Sequence, residues 1–330
     1  MKARSLLSIA ALGLALAGGA RAETTLNVVT AGDQNMVDYV NNYLAPRFEK
    51  MNPGVQVRAV GTGPGDSGSQ KIYEKLSAQQ KAGASTWDVD VAVVHQRGAA
   101  TMVGDKLLMR YRNDVKAGKL VSRDSAKNAL GANVDGYVLP MFHSQIALAY
   151  NPDLVKNPPK SFAELTEWVK KNPKQFGYNG VKGGMSGVGF VMGWVEANSG
   201  LRDKLEKGPY DPNAKAAIDK SLESLKSFNQ YVQMTPGNAG TLDMLNRGEI
   251  AMGPVWVDMF YTWMADGIVK QFNWSPGIDP QYVQSKMTPA AWNKLFTAIS
   301  PKDLASKGRP FPLSQYFTDI VEGYERVVLK

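Results

Sequence analysis

Strands alternate with helices over the first third of the sequence, and this alternation restricts the fold more than any other feature. Thr25–Thr30, Val55–Val60 and Asp88–Val94 are rich in β-branched and apolar residues and predict strands, the third of them buried on both faces. Apolar residues at helical spacing predict helices over 36–51 and about 69–82. Strands separated by helices pair in parallel, so we expect a doubly wound α/β lobe.

In such a lobe, ligands bind beyond the carboxyl ends of the strands, where the connecting loops converge. The loops that follow the three predicted strands are Gly32–Asn35, Gly61–Ser69 and His95-Gln96. We expect ligand-binding residues among the polar side chains of these loops, which are Asp33, Gln34, Asn35, Asp66, Ser67, Ser69, His95 and Gln96.

The loop Gly61–Ser69 contains G-x-G-x-x-x-x-G but fits no nucleotide-binding motif. It lacks a Gly-Lys-Ser/Thr ending, and Gly68 comes two residues too late for the dinucleotide spacing. Its backbone N–H groups and the hydroxyls of Ser67 and Ser69 at a helix start suit an anionic or hydroxyl-rich ligand. A mobile glycine turn without a function explains the pattern equally well.

Residues 1–22 predict a cleaved secretory signal. Lys2 and Arg4 precede an apolar stretch over 6–17 that is too short to span a bilayer, and the ending Ala20-Arg21-Ala22 suits signal peptidase. We expect the mature chain to begin near Glu23, to be soluble in the periplasm and not to insert into the membrane.

The charge and the cysteine content exclude several functions. Removing the signal lowers the formal net charge from +8 to +5, and no long run of like charge accompanies it, which argues against a nucleic-acid partner. Cysteine is absent, so disulfides, thiolate metal sites and a cysteine nucleophile are excluded.

The segment 136–165 contains a strand followed by a well-marked helix. Ser144–Tyr150 is a short apolar run that predicts a buried strand. Pro158-Pro159 enforces an extended segment, and Ser161 stands three residues before Glu164 as an N-cap for a helix from about Phe162 to Lys171.

A second segment, 242–263, is rich in aromatic residues. It predicts a helix that ends at Gly248, a short buried strand at Ile250–Met252, and a helix opened by Gly253-Pro254. On that helix, Trp256 would share one face with Phe260 and Trp263, a pattern that is also typical of simple core packing.

The order of these segments resembles that of the family 1 extracellular solute-binding proteins, periplasmic receptors of ABC importers that include maltose- and ferric-binding proteins. The sequence YN-x-D-L-x-x-NPPKSFAEL is similar to the family's crossover between lobes, and L-x-x-G-E-I-A-M-G-P-x-W to its second-lobe cleft segment. The resemblance implies a two-lobed, type II-like α/β fold with a ligand cleft between an N-terminal lobe, 23–140, and a C-terminal lobe, 141–330, that carries the C-terminal helices.

The resemblance also implies site residues. Trp256 corresponds to an aromatic platform, with Asp258 and Tyr261 as polar neighbours, and aromatic faces stack on sugars or on cations. The glycine-rich start of the helix after 180–190 faces the cleft in the family, which adds Ser186 and Trp194. His143 lies at the proposed lobe boundary.

One segment departs from the family's pattern. Only 265–272 separates Trp263 from Asn273, too few residues for the further strand and helix through which the family returns to its first lobe. We therefore expect an abbreviated return segment. The tail predicts helices at Ala290–Ile299 and Leu313–Leu329, which we interpret as scaffold of the second lobe.

We expect a monomeric receptor that closes around a small polar solute and delivers it to the permease subunits of an ABC importer, without a cofactor or a metal. No Tyr-Tyr pair of the kind used by ferric receptors occurs, which disfavours iron. A sugar, a polyol, a phosphorylated compound and a polyamine remain open. Trp256 suits sugars, polyols and cations, the glycine loop suits anions, and Asp33, Asp66 and Asp258 suit cations.

Two other classes of function are compatible with the same cleft. One is a secreted enzyme with a carboxylate site, although no G-x-S-x-G elbow and no H-x-x-x-H metal spacing occurs, so we expect no enzyme. The other is a ligand-sensing module that binds another protein.

Overall fold

The computed structural model describes residues 24–121, 126–141, 144–264, 285, 288–295 and 306–330. The expected signal peptide, the return segment and His143 lie outside the described residues, as does the end of the predicted helix at Ala290–Ile299. Among the described helices, none is long and apolar enough to cross a membrane.

The described elements follow one another as strands and helices of an α/β protein. The strands are β1 (Thr24–Ala31), β2 (Val55–Gly63), β3 (Val91–Val93), β4 (Asn128–Ala129), β5 (Ala132–Asn133), β6 (Ile146–Tyr150), β7 (Gly177–Tyr178), β8 (Gln233–Met234) and β9 (Met252–Trp256). The α-helices are α1 (Gln34–Tyr39), α2 (Ala45–Met51), α3 (Gly65–Lys81), α4 (Gln96–Gly104), α5 (Phe162–Lys171), α6 (Met185–Asn198), α7 (Arg202–Lys207), α8 (Ala214–Asn229), α9 (Asn238–Asn246), α10 (Val257–Met264), α11 (Pro289–Leu295) and α12 (Ser314–Gly323). Shorter turns of helix are a 3₁₀ turn at Lys116–Leu120 and π-helical turns at Val40–Leu44 and Tyr324–Val328.

The first sheet is parallel, as the alternation predicts. Its strand order is β2-β1-β3, and β1 pairs in parallel with both neighbours. Successive residues of β1 point to opposite faces, and each face is covered by helices. Val29 and Ala31 pack against Ile72, Leu76 and Met102 of α3 and α4. Val28 packs on the other face against Val40 of the π-helical turn and Ala59 of β2.

The first helical region is continuous, but its hydrogen-bonding pattern changes in the middle. The predicted helix over 36–51 consists of α1, the π-helical turn Val40–Leu44 and α2. Pro46 stands in the first turn of α2 and has no backbone N–H to donate. A wider turn directly before a proline accommodates this missing hydrogen bond without ending the helical path.

The predicted glycine loop is mostly regular structure. β2 extends to Gly63 and α3 begins at Gly65, so only Pro64 separates strand from helix. Gly63 and Gly65 adopt φ values of +102° and +64°, which favour glycine and permit this abrupt turn. Gly68 packs directly on the turn, because a Cβ there would lie 2.0 Å from the Gly63 carbonyl oxygen. The segment is therefore the end of a strand and the start of a helix, and not the loop that the alternative interpretation assumed.

The third strand is shorter and more exposed than predicted. It spans three residues, and Val91 is 44% exposed, so burial on both faces is wrong. Asp90 precedes it and holds β1 with its carboxylate, whose Oδ2 accepts from the Asn27 backbone N–H at 2.8 Å. The Asp90 N–H also donates to the Asn27 carbonyl oxygen at 3.0 Å, and the regular strand begins at the next residue, Val91.

A second and larger core is built around α6. This helix is apolar on nearly all sides, and it packs with α8, α12 and the strands β7 and β9. Aromatic rings form its centre, with Trp194 4.8 Å from Phe228 and Phe190 5.3 Å from Phe176 between ring centroids. The predicted tail helix begins at Ser314 and packs in this core, which agrees with its expected scaffold role.

Strand β6 is not buried as predicted. It pairs with β9 in an antiparallel two-stranded ribbon, and Leu148 and Tyr150 are 38% and 42% exposed. Within the described residues β9 is the one strand that pairs with β6. The ribbon is therefore not part of a larger sheet there, and this accounts for the exposure of β6.

Strand β9 begins two residues later than predicted. It spans Met252–Trp256 and includes Pro254, which pairs with Leu148 of β6. Proline is tolerated in such a ribbon because an edge strand does not need every backbone N–H. α10 begins only at Val257, so the interpretation of Trp256 as a residue of the aromatic helix is wrong.

The predicted start of α5 is confirmed. Ser161 adopts an extended conformation, and its Oγ accepts from the Glu164 N–H at 3.1 Å. The Glu164 carboxylate in turn accepts from the Lys160 N–H at 2.9 Å. Leu165 and Val169 of this helix are buried in the second core.

Replacing this cap tests the local account of α5. We expect Ser161→Ala to lower the free energy of unfolding by about 1 kcal/mol, because the Glu164 N–H loses its acceptor. Ser227→Ala, the same change at an exposed position in the last turn of α8, is the control and should stay within about 0.5 kcal/mol of the wild type. Urea unfolding measures both, and equal losses would contradict the assigned cap.

A buried carboxyl group near the end of α6 has an unusual ionisation. Glu196 is 8% exposed, and burial raises its pKa to about 7, with Glu206 acting in the same direction. Arg202 and Arg309 act in the opposite direction. The Arg309 Nη1 lies 3.8 Å from Oε1 of Glu206, so the two glutamates share a basic neighbourhood.

The raised pKa of Glu196 predicts a pH-dependent stability. Between the ordinary pKa of 4.5 and about 7, the folded chain keeps a proton that the unfolded chain releases, so stability falls as the pH rises through this window. Glu196→Gln has no proton to release, so its stability relative to the wild type should be higher at pH 8 than at pH 5. Glu223→Gln on the exposed face of α8 is the control, and an equal difference at both pH values for Glu196→Gln would contradict the assignment.

Candidate ligand-binding site

Three of the predicted polar residues meet at the carboxyl ends of the first sheet. Asp33 follows β1, Asp66 lies in the first turn of α3, and His95 follows β3. The backbone N–H of His95 donates to the Ser69 Oγ at 3.0 Å, and its Nδ1 lies 4.0 Å from Asp66 Oδ1. Ser69 is buried and supports His95 rather than facing an open cleft.

Arg97 is a further member of this group that the sequence analysis missed. Its Nη1 donates to Asp66 Oδ2 at 3.4 Å, and its Nη2 donates to the Thr318 Oγ1 at 3.1 Å. The guanidinium carbon also lies 5.4 Å from the centre of the Phe317 ring. Since Thr318 and Phe317 belong to α12, Arg97 links the first sheet to the second core. The sequence feature that could have identified Arg97 is that it is the one charged residue of α4.

Asn238, at the start of α9, was also missed and makes a second link. Its Nδ2 donates to Asp33 Oδ2 at 3.1 Å. Its Oδ1 accepts from the Asn179 Nδ2 and from the N–H and hydroxyl of Ser186, at 2.8–3.1 Å. Ser186, a predicted site residue, therefore reaches the site through Asn238.

Asp258 brings a carboxylate from the second core. It is the second residue of α10 and is 7% exposed. Burial raises its pKa and the charge of Asp33 raises it further, while the hydrogen bond from the Ser144 hydroxyl acts in the opposite direction. Asp33 is thus near enough for its charge to act on Asp258, although burial is the larger cause of the raised pKa. Ser144 is a third residue that the sequence analysis did not select.

The site has an excess of negative charge. Burial lowers the pKa of His95, while the carboxylates of Asp66 and Asp33 act against that shift. The imidazole is therefore neutral at pH 7. Arg97 is engaged with Asp66. The described members of this cluster thus include three aspartates, Asp33, Asp66 and Asp258, and Arg97 is bonded to Asp66 rather than to Asp33.

Other predicted residues of the first lobe lie outside the cluster. The Ser67 hydroxyl donates to the Pro64 carbonyl oxygen, and the Gln34 side chain donates to Asp38, both at exposed positions. Gln96 is exposed at the start of α4, and Asn35 is half-buried in the first turn of α1.

The predicted aromatic residues take different positions. Trp194 is buried in the aromatic centre of the second core, and its Nε1 donates to the Ser221 carbonyl oxygen and the Ser224 hydroxyl, both at 3.0 Å. Trp256 is half-buried at the end of β9, packed between the second core and Val255. Tyr261 belongs to α10, but its side chain lies outside the described part, as does His143.

The chain is similar to a known family and to several solved structures. Residues 44–307 match the family model described as bacterial extracellular solute-binding protein. An extracellular solute-binding protein from Bordetella parapertussis is 17% identical with a TM-score of 0.53, covering 93% of this chain and 99% of its own. The solute-binding protein RafE in complex with raffinose is 15% identical with a TM-score of 0.56, covering 92% and 100%.

A third similar structure is the spermidine/putrescine ABC transporter substrate-binding protein from Streptococcus pneumoniae. It is 13% identical with a TM-score of 0.51, and the alignment covers 92% of this chain and 85% of that one. At these identities the likeness shows the fold alone. No curated protein matches the sequence.

The ionisation of His95 tests the geometry of the site. We expect its imidazole to titrate below the ordinary pKa of 6.5, and Asp66→Asn to lower the pKa further, because Asp66 is the strongest of the charges that favour the imidazolium. Since the unfolded chain binds the proton first on acidification, stability should rise with pH from the lowered pKa up to about 6.5. NMR titration of the two histidines gives the pKa, and His143→Gln assigns the signals.

Asp88→Asn, on an exposed carboxylate paired with Lys75, is the control for a lost negative charge. It should leave the pKa of His95 unchanged. A His95 pKa at or above 6.5, or one that does not respond to Asp66→Asn, would contradict the described surroundings of the imidazole.

Proposed function

The chain belongs to the bacterial extracellular solute-binding proteins, and on that premise we propose that its two lobes close around a small organic cation. The family comprises binding receptors of ABC transport, which confirms the expected class of function and the expectation that the chain is not an enzyme. We further infer that the receptor is a periplasmic monomer, exported by the signal over 1–22, and that it delivers the cation to the permease subunits of its importer.

The charge of the site carries the choice of a cation. The charge of Asp33 acts on the pKa of Asp258, Arg97 is engaged with Asp66, and His95 is neutral at pH 7. Oδ1 of Asp33 accepts no hydrogen bond within the part of the chain that the structure describes. A protonated amine or a quaternary nitrogen is complementary in charge to a site that contains these aspartates, whereas a sugar or a phosphate ester is not.

The same charges give a mechanism for closure. Burial raises the pKa of Asp258 and the charge of Asp33 acts in the same direction, so bringing the two carboxylates closer without a cation is unfavourable. A cation between them converts this repulsion into two attractive contacts. Because a ligand shifts a conformational equilibrium only through its differential affinity, a cation that needs both carboxylates favours the closed arrangement.

Closure also requires two lobes and a hinge between them. We propose that 23–140 and 141–330 form the two lobes, and that the crossing segments near Ser144 and Asp258 form the hinge. The Val257 N–H donates to the Gln145 carbonyl oxygen at 2.9 Å, and the Asp258 N–H to the Ser144 hydroxyl at 3.3 Å, so the two segments are joined side by side. In hinges of this kind, a few residues at the ends of helices or strands change their φ and ψ angles when the lobes close.

The relatives in fold leave the solute open. One of them is bound to raffinose and another is named for spermidine and putrescine. Trp256, which suits a sugar ring as well as a cation, does not separate the two classes, because half-buried packing explains its position. The three aspartates of the site, together with the Oδ1 of Asp33 that accepts no described hydrogen bond, are the features that favour the cation.

Ligand binding to the chain from residue 23 onward tests the proposal. At a hundred times its dissociation constant a cation adds about 2.7 kcal/mol, which should raise the unfolding midpoint by roughly 5–10 °C. We expect this shift from primary, secondary or quaternary amines and not from sugars or phosphate esters. Thermal unfolding followed by calorimetric titration measures it.

Matched variants locate the binding site. Asp258→Asn and Asp33→Asn should each weaken the bound amine at least about tenfold, because each removes one of the two carboxylates. Asp153→Asn, on a side chain that is 92% exposed, removes the same charge outside the site and should leave the affinity unchanged. A selective shift given by a sugar or a phosphate ester, or full affinity in both site variants, would refute the cationic solute.

A further inference from the structure

The side-chain amide of Asn238 has a fixed orientation. Its Oδ1 accepts from the N–H of Ser186 at 3.1 Å, from the Ser186 hydroxyl at 2.8 Å and from the Asn179 Nδ2 at 3.1 Å. Asn238, Ser186 and Asn179 are 7%, 0% and 4% exposed. A backbone N–H can only donate, so the atom that faces Ser186 is the amide oxygen.

This orientation directs a donor towards the other half of the molecule. With Oδ1 held by Ser186 and Asn179, Nδ2 lies on the opposite side, 3.1 Å from Asp33 Oδ2. Asp33 stands at the N-cap position of α1, yet its side chain makes no capping bond to that helix. The carboxylate is thus held by Asn238 across the cleft and not by its own helix.

We propose that Asn238 is a positioning residue that favours the closed arrangement of the unliganded receptor, against the repulsion between Asp33 and Asp258, and that orients Asp33 for the solute. The inference rests on the proposed function, since it assigns the cleft residue that prepares a ligand-binding carboxylate. A hydrogen bond to a charged group inside a protein contributes about 1.5–3 kcal/mol. That corresponds to roughly a tenfold to hundredfold change in the ratio of closed to open molecules.

The second link does not replace this one. Arg97 joins Asp66 to Thr318, and both of its hydrogen bonds involve side chains other than Asp33 and Asn238. Losing the Asn238 bond therefore leaves the Arg97 link in place but leaves Asp33 without a partner across the cleft. This separation permits a test on Asn238 alone.

Asn238→Asp is the most direct test. The new carboxylate keeps an acceptor for Ser186 and Asn179 but turns the donor towards Asp33 into a like charge. An acidic residue in the first turn of α9 is favourable for the helix, so we expect the variant to fold. Asn172→Asp, at the C-terminal end of α5 where the side chain donates to Trp168, makes the same chemical change within one half and is the control.

The readout is the distance between the lobes without any ligand. The chain contains no cysteine, so Ala78→Cys on α3 and Lys226→Cys on α8, both exposed, give a uniquely labelled pair for spin-label distance measurements. We expect Asn238→Asp to raise the ratio of open to closed molecules at least about tenfold, with Asn172→Asp like the wild type. Asp33→Asn combined with Asn238→Asp should restore closure, because the asparagine at 33 then donates to the aspartate at 238.

Rescue by the reversed pair separates positioning from a merely structural role. Equal distance distributions for Asn238→Asp and the wild type would overturn the proposal, as would a double variant that stays open. Should Asn238→Asp not unfold cooperatively, Asp33→Leu replaces it, since leucine has a similar shape and cannot accept the bond, while Asp33→Asn can. Asp33→Leu must open the lobes and Asp33→Asn must not, or the proposal fails.

The outcome is independent of the solute. Failure of every amine to bind would refute the cationic ligand but leave the distance result standing. Amine binding with no effect of Asn238→Asp on closure would refute the role of Asn238 but leave the cationic ligand standing.

Discussion

The placement of carboxylates away from bulk water is the constraint on which the rest of the site depends. A buried charge is unfavourable unless a partner or hydrogen bonds offset the lost hydration. The chain meets this requirement differently at each position: Arg97 accompanies Asp66, Asn238 holds Asp33, and Ser144 donates to Asp258. Each partner is held in place by its own neighbours, so the polar cluster is ordered before a solute arrives.

The second core provides the rigidity that this arrangement needs. Its aromatic centre packs α6 against α8, and α6 begins at Met185, directly before Ser186. Ser186 and Asn179 therefore stand on well-packed structure and fix the amide of Asn238. The first sheet contributes the complementary half, since its parallel strands deliver Asp33, Asp66 and His95 to one edge. Polar groups that a packed second layer supports lose little freedom on binding, which favours affinity.

Local pattern predicted the parts of the molecule that local physics determines. The parallel sheet followed from alternating strands and helices, and the start of α5 from Ser161 and Glu164. β9 was misplaced because Pro254 breaks helices and central strands alike, yet fits an edge ribbon. Arg97 and Asn238 were missed because their partners are 221 and 205 residues away, a separation at which no periodicity or capping signal survives.

Those two separations also determine when the site comes into existence. The first sheet and its covering helices are complete by Gly104, so they can assemble from the leading third of the chain as it emerges. Asn238 and Thr318 are synthesised far later, and contacts between such distant residues form last because their loops are the costliest to close. A chain truncated after β8 thus contains an intact first sheet whose acidic edge has no counterpart.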